Sequence, residues 1–356
     1  MTADLILGIE TSCDETAAAV VRGGSDVLSN VVHSQIDVHR EWGGVVPELA
    51  SRHHAEQIDL IIELALRRAG IEIGDIDAVG ATYGPGLIGA LLVGVSAAKA
   101  IALARGVPFV GIDHIEAHIH SVTLTHGEIP YPALSLVVSG GHTSLFRQEK
   151  RFEYELIART RDDAAGEAYD KVAKLLNIGY PGGPVMDHMA KLGDPNAVPF
   201  SPVKMSDGSL DFSFSGLKTA VLHLTRKRPE LLERKLPLEE DRPLLDLVAS
   251  FQAAVISEIV RRIESSIDEG GVHAVGISGG VSNNSGLRAA MEALAERRGV
   301  PVFFPDLVYT SDNAGMIAAL AWHRLRLDAP SPLDLNPVPN LRLAEAPGAR
   351  RHPRSG

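Results

Sequence analysis

A unit of strand, glycine turn and helix occurs twice in this chain with the same neighbours each time, and that repeat limits it to few architectures. Residues 77–86, DAVGATYGPG, run as a strand into a glycine turn, with a helix predicted to about Ala104. Residues 274–284, AVGISGGVSNN, repeat the pattern, with a helix to about Arg298. Ahead of each copy lies strand, polar turn, strand, over 5–21 and over 133–146. A short apolar strand follows each copy, at Pro108–Ile112 and at Pro301–Asp306. A further helix then opens, at His114 in the first copy and at Ser311–Gly315 in the second, the latter running through about Arg324. A third strand is predicted near Val27–Gln35 and a helix over 44–69, whose Arg52, His53, His54 and Glu56 read as a solvated face.

Strands alternating with helices predict an α/β protein with a mixed sheet flanked by helices in each of two similar lobes, and a cleft between them. The first lobe is assigned to 1–132, with 325–345 packing back on it, and the second to 133–324. About 160–245 interrupts the second copy, is too long for a loop, and is expected to be helical in parts. The end of the chain is rich in Pro, Ala and Arg, and 346–356 is expected to be a disordered tail.

The charge balance, 34 Lys and Arg against 45 Asp and Glu, gives −11 and no general attraction to phosphate backbones. Aromatics at 5% advertise no stacking platform for single strands. A nucleic-acid partner would need a local basic patch or another subunit. The stretch 199–235 holds seven basic residues, Lys204, Lys218, Arg226, Lys227, Arg228, Arg234 and Lys235, against four acids, and reads equally as a solvated helix. The single cysteine, Cys13, excludes an intrachain disulfide, fits a reducing compartment and reads as a small packed residue. Asp4 and Glu10 break any signal-peptide pattern, and Lys99 with many small residues makes Leu87–Ala104 a buried helix in preference to a membrane span. A cytoplasmic protein with no membrane partner is expected.

Candidate chemistry begins at His114-Ile115-Glu116-Ala117-His118. If a helix starts there, the imidazoles lie one turn apart on one face, close enough to share a metal, while Glu116 points to roughly the opposite side. That differs from the metalloprotease pattern, in which Glu directly follows the first His. Two histidines on a helix surface would look the same. Asp312, at the start of the counterpart helix, reads as a capping acid or, by the symmetry of the repeat, as a third ligand brought across the cleft. Two imidazoles and one carboxylate suit Fe or Zn.

Glycine turns let backbone N–H groups approach phosphate. Ser139-Gly140-Gly141-His142-Thr143 and Gly279-Gly280-Val281-Ser282-Asn283-Asn284 meet that description in equivalent places, and predict a bound nucleotide. Neither the P-loop nor the dinucleotide fingerprint is present where a strand feeds a helix. Asp170 and Asp187 are candidates to accept hydrogen bonds from ribose, though carboxylates beside turns are commonly structural.

Taken together and in order, ETSCDET (10–16), GPG (84–86), HIEAH (114–118), VSGGHT (138–143), GEAYDK (166–171), DFSFSGLK (211–218) and SDN (311–313) resemble the bacterial tRNA N6-adenosine threonylcarbamoyltransferase family, formerly called O-sialoglycoprotein endopeptidases. The likeness runs from about residue 5 to 325. It implies actin-like, or ribonuclease H-like, lobes of the sugar-kinase and Hsp70 type, and an acyltransferase of tRNA modification. The implied donor is threonylcarbamoyl-AMP, an ATP-derived adenylate. The implied acceptor is the N6 amine of the adenosine 3′ of the anticodon in tRNAs reading codons that begin with A.

Position by position, the resemblance implies that His114, His118 and Asp312 hold one divalent metal per subunit, Fe2+ ahead of Zn2+. It implies that Val137, Val138, Ser139, Gly140, Gly141, Asp170, Gly183, Asp187 and Asn284 bind the adenylate. Ala117 stands where Gly is frequent and Asn283 where Ala is frequent, both small changes. An inactive paralogous subunit and a small ATPase are the implied protein partners. An actin-like ATPase or sugar kinase would share the lobes without using the histidines. A metalloprotease, or a scaffold that binds nucleotide without turnover, completes the alternatives.

Overall fold

The computed structural model describes residues 3–203, 205–233 and 237–343, which divide into one unit made of the residues up to Glu128 with those from Pro305 onward, and another of Ile129–Phe304. In the first, β1 (Leu5–Glu10), β2 (Glu15–Arg22) and β3 (Asp26–Ser34) form an antiparallel meander. After α1 (Ile36–His39) and α2 (Pro47–Ala69), β4 (Ala78–Gly84) adds parallel to β1. It is followed by α3 (Ile88–Arg105), then β5 (Phe109–Asp113) parallel to β4, then α4 (His114–His126). The sheet order is β3-β2-β1-β4-β5.

Strands β1, β2 and β4 are buried almost throughout, which requires helices on both faces. Leu7 and Ile9 pack with Ile58, Ile61 and Val95 of α2 and α3. The intervening Gly8 points to the other face, where α10 (Ala314–Leu327) lies. A Cβ on Gly8 would come within 2.5 Å of the Ala314 carbonyl oxygen, and one on Gly80 within 2.6 Å of the Ala321 methyl. Two glycines thus let helix α10 sit directly on the sheet, against Ala17 and Ala19.

This packing corrects the domain reading. The repeat assigned 133–324 to the second lobe, yet the chain from Pro305, α10 included, belongs with the first sheet. Small residues on both surfaces decide it: β1, β2 and β4 offer Gly and Ala where α10 carries Ala314, Ala318 and Ala321. Beyond α10 the chain stays with this unit, with the Ser331 amide bonded to the Phe109 carbonyl and the Val338 amide to that of Tyr83.

Two smaller expectations also change. His54 is fully buried instead of solvated: Thr16 Oγ1 lies 2.8 Å from its Nδ1 and the Cys13 carbonyl 2.9 Å from its Nε2. Helix α3 buries one face, through Leu91, Val95 and Ala98, and leaves Ile88, Leu92 and Leu103 exposed. By length and apolarity α3 and α8 (Arg242–Asp268) would each suffice to cross a membrane, but in the fold each packs one face on a sheet or a helix.

The second unit repeats the first strand for strand. β6 (Ala133–Val138), β7 (Thr143–Gln148) and β8 (Glu155–Arg159) form the meander, and β9 (Ala274–Ser278) adds parallel to β6. β10 (Val302–Phe303) completes the order β10-β9-β6-β7-β8 and is shorter than the expected 301–306, between Pro301 and Pro305. The stretch 160–245 folds as α5 (Ala165–Leu176), α6 (Gly182–Ala190) and α7 (Ser215–Lys227) with short 3₁₀ turns. Its Tyr169, Phe212 and Phe214 share one core with Phe251 of α8, so it thickens the unit and forms no separate body. After β9, α9 (Ser285–Arg298) follows. Lys204, Arg234 and Lys235 of the basic stretch and the whole of 346–356 lie outside the described residues.

Candidate active site

The end of β5 delivers the chain to α4, and Asp113 caps that helix by accepting the amides of Ile115 and Glu116. His114 and His118 then fall on one face, with ring centroids 4.6 Å apart and planes at 82°. Asp312 precedes α10, whose first turn is capped by Asn313. Its Oδ1 lies 3.1 Å from His118 Nε2 and 3.6 Å from His114 Nε2. One donor atom from each of the three falls within 4.8 Å of the others. In a coordination shell with bonds near 2.1 Å, neighbouring ligand atoms are about 3.0–3.4 Å apart, so this donor set fits a divalent metal. Both histidines are buried, and Asp312 retains 18% exposure of its side chain, which leaves one open side.

The orientation of His114 comes from the opposite side of its ring. Its Nδ1 stands 3.1 Å from Glu10 Oε2 and 3.2 Å from Ser12 Oγ. Glu10 is itself held by the Thr82 hydroxyl at 2.6 Å and the Ser12 amide at 2.5 Å. A carboxylate behind Nδ1 fixes the tautomer with its proton there and leaves Nε2 as the ligand atom. Sequence reasoning missed Glu10, Ser12 and Thr82 as partners of the cluster. The signal was an acid closing an otherwise apolar strand, where nothing but a buried partner explains it.

Electrostatics follow from the crowding of acids. Burial works against a charged His114, but Asp312 and Glu10 outweigh it and push the group up to about 9. His118 is lowered by burial and by the neighbouring His114. Burial alone would raise Glu10, yet the positive His114 holds it below the usual carboxylate value. At neutral pH the metal-free cluster therefore carries a proton on His114, and a metal must displace it. Calorimetric titration with metal near pH 7.5, in buffers of different ionisation enthalpy, should show about one proton released per metal bound; no release would contradict the cluster. In the metal-free protein the raised value stabilises the fold below the unfolded-state value near 6.5, and that stabilisation is lost as pH rises through about 9. Denaturant midpoints of the metal-free protein should thus fall between pH 6.5 and 9.5.

Two nearby groups are excluded from chemistry. Cys13 is pushed well above the ordinary thiol value by burial and by Asp14, Asp312 and Glu15, so it is no thiolate nucleophile. Glu116 is turned away from the cluster and bound by Arg324 through Nε at 3.2 Å and through Nη2. It is a buried structural anchor between α4 and α10, which removes the base a zinc protease would need.

In the second unit, Ser139–His142 close the turn from β6 to β7: the Ser139 amide donates to the His142 carbonyl and the His142 amide to Ser139 Oγ. Gly279, at φ +92°, ends β9 directly against Val138, where a Cβ would come 2.4 Å from the Val138 carbonyl oxygen. The two glycine turns therefore lie side by side at the carboxyl ends of neighbouring parallel strands, a favoured ligand position in α/β sheets. Around Gly140, Gly141, Gly183 and Gly280 a Cβ would meet nothing within 4 Å, so the main chain there stands open to a ligand. Gly166 abuts this turn, its own Cβ position 2.7 Å from the Ser139 carbonyl oxygen.

Val137 and Val138 are wholly buried, so any contact they make is through the main chain. Asp170 accepts the Gly182 amide at the start of α6. Asp187 Oδ1 accepts from Ser285 and from Gln252. The Asn284 side chain caps α9 through Leu287 and donates to Gln252, a structural duty beside any role in binding.

Two five-stranded sheets of identical order, with glycine turns at the strand ends, define an α/β protein of the actin-like ATPase and sugar-kinase fold, here with a histidine–carboxylate cluster added. The same fold is seen in HypF of T. kodakarensis (TM-score 0.60, 16% identity, 91% of this chain and 48% of that one) and in component A of Acidaminococcus fermentans (R)-2-hydroxyglutaryl-CoA dehydratase (TM-score 0.53, 17% identity, 90% and 99%).

Within that fold, the chain belongs to the tRNA N6-adenosine threonylcarbamoyltransferase family, TsaD, whose family model matches residues 26–319. It is 50% identical to the Symbiobacterium thermophilum tRNA N6-adenosine threonylcarbamoyltransferase over 95% of this chain and 97% of that one. With the Clostridium beijerinckii enzyme it shares 46% over 97% of this chain and the whole relative. It is an acyltransferase acting on tRNA.

Proposed function

We propose that the protein transfers the threonylcarbamoyl group of threonylcarbamoyl-AMP to the N6 amine of the adenosine 3′ of the anticodon, in tRNAs reading codons that begin with A, with AMP as the other product. The observation that carries this reading is the His114–His118–Asp312 cluster with Glu10 behind it, in a chain of this family. The N6 nitrogen bonds to the carbamoyl carbon as the bond from that carbon to the adenylate oxygen breaks. A divalent metal, Fe2+ ahead of Zn2+, supplies Lewis-acid polarisation of a substrate oxygen when bound. The protein's own part is positioning: Glu10 locks the His114 tautomer, and Asp312 sets both imidazoles. The main chain at Ser139–Gly141 and Gly183, with the carboxylates of Asp170 and Asp187, receives the phosphate and ribose of the adenylate.

The chain's charge of −11 and the exposed apolar residues Ile88, Leu92 and Leu103 support assistance by protein partners, an inactive paralogous subunit and a small ATPase, in engaging tRNA. Arg226 and Lys227, exposed in the last turn of α7, are described residues of the basic stretch that could meet a phosphate backbone, whereas the neighbouring Arg228 pairs with Glu230. A cytoplasmic location is the reading that the lone cysteine, Cys13, supports. Purified protein supplied with threonine, bicarbonate, ATP, the synthase of the adenylate, partner proteins and unmodified tRNA should yield N6-threonylcarbamoyladenosine on nucleoside analysis. Its absence with a competent partner set would overturn the assignment.

A further inference from the structure

Gln252, in the middle of α8, is buried to 6% exposure and joins two residues of the adenylate reading that come from different helices. Its Nε2 donates to Asp187 Oδ1 at 3.1 Å, and its Oε1 accepts from Asn284 Nδ2 at 2.7 Å. Asn284 Oδ1 in turn accepts the Leu287 amide at 2.9 Å. The direction of this relay has one solution. The Leu287 amide can only donate, so Asn284 presents its oxygen there and its nitrogen to Gln252. Gln252 must then turn its own nitrogen to the carboxylate, which can only accept. Gly286 keeps the space clear, since a Cβ there would lie 3.1 Å from Gln252 Nε2.

The consequence falls on Asp187. Its Oδ1 receives Gln252 Nε2, the Ser285 amide at 3.1 Å and Ser285 Oγ at 2.9 Å, three donors converging on one oxygen. The carboxylate plane is thereby fixed, and Oδ2, 3.4 Å from the exposed Lys191, is the oxygen presented outward. We propose that Gln252 is a positioning residue that aims Asp187 Oδ2 at the ribose hydroxyls of the adenylate and so sets the enzyme's preference for a ribose over a deoxyribose. This rests on the adenylate reading above. An apolar residue of the same shape would still fill the space in α8 but would leave the carboxylate held from one side only, by Ser285, and looser in its plane.

The test uses the full chain and two probes, AMP and 2′,3′-dideoxy-AMP, with binding followed calorimetrically. Wild-type protein is expected to bind AMP about tenfold or more tightly than the dideoxy analogue, the loss expected for unpaired polar groups. In Gln252→Met the two should bind within about twofold of each other, with AMP weakened and the analogue unchanged. In the transfer assay, the KM for the adenylate should rise more than kcat falls. If Gln252→Met folds poorly, Gln252→Asn serves, because it keeps the amide but withdraws it by one methylene. A variant that folds as wild type and keeps the wild-type ratio overturns the role of Gln252 alone. A wild-type protein that binds both probes equally overturns the placement of ribose on Asp187 as well.

Discussion

His114→Ala is expected to lose metal and threonylcarbamoyl transfer together, with kcat/KM falling by about 10³-fold or more, the equivalent of several kcal/mol of lost charge stabilisation. His114 is the one ligand that faces both carboxylates, with Glu10 on Nδ1 and Asp312 on the Nε2 side. Removing it leaves His118 and Asp312 as two ligands only. Glu10→Gln should be milder, about 10–100-fold in metal affinity, because it disturbs the orientation of a ligand and not the ligand itself. Metal content by elemental analysis beside the transfer assay separates the two. Full transfer by a metal-free His114→Ala protein would refute the role given to the cluster.

Glu116→Ala should destabilise the fold by about 1–3 kcal/mol, read from denaturant unfolding, since it removes the buried carboxylate partner of the Arg324 guanidinium and leaves it the more exposed Asp328. Arg324 is 8% exposed and Glu116 3%, and Asp328 is the other carboxylate paired with Arg324. Glu116→Leu combined with Arg324→Met should recover most of that loss, because an apolar pair of similar volume carries no charge into the interior. At low temperature the folded fraction of Glu116→Ala should still transfer. An outright loss of chemistry with unchanged stability would instead place Glu116 in the mechanism.

Both predictions turn on residues whose meaning the chain disclosed unequally. The His114–His118 spacing was visible because helical periodicity is local: four residues make one turn wherever the helix sits. The glycine turns were visible for the same reason, since Gly-Gly ends a strand locally and opens turn conformations that other residues rarely adopt. Glu10 was not, because its partners, Thr82 and His114, lie 72 and 104 residues away. Gln252 looked like any polar residue on a long helix until three helix segments met around it.

What the sequence determined by itself is the repeated order of elements, the metal-type spacing on α4 and the open turns after β6 and β9. All of these follow from local backbone preferences and side-chain period. What only the tertiary structure decided is where α10 goes. Its pattern of small residues allowed a place in either unit, and the repeat pointed to the second. The vacancies left by Gly8 and Gly80 on the first sheet settled the choice, because close packing rewards the surface that admits the helix backbone most nearly. That choice carries Asp312 to His114 and His118, and so assembles the candidate metal site.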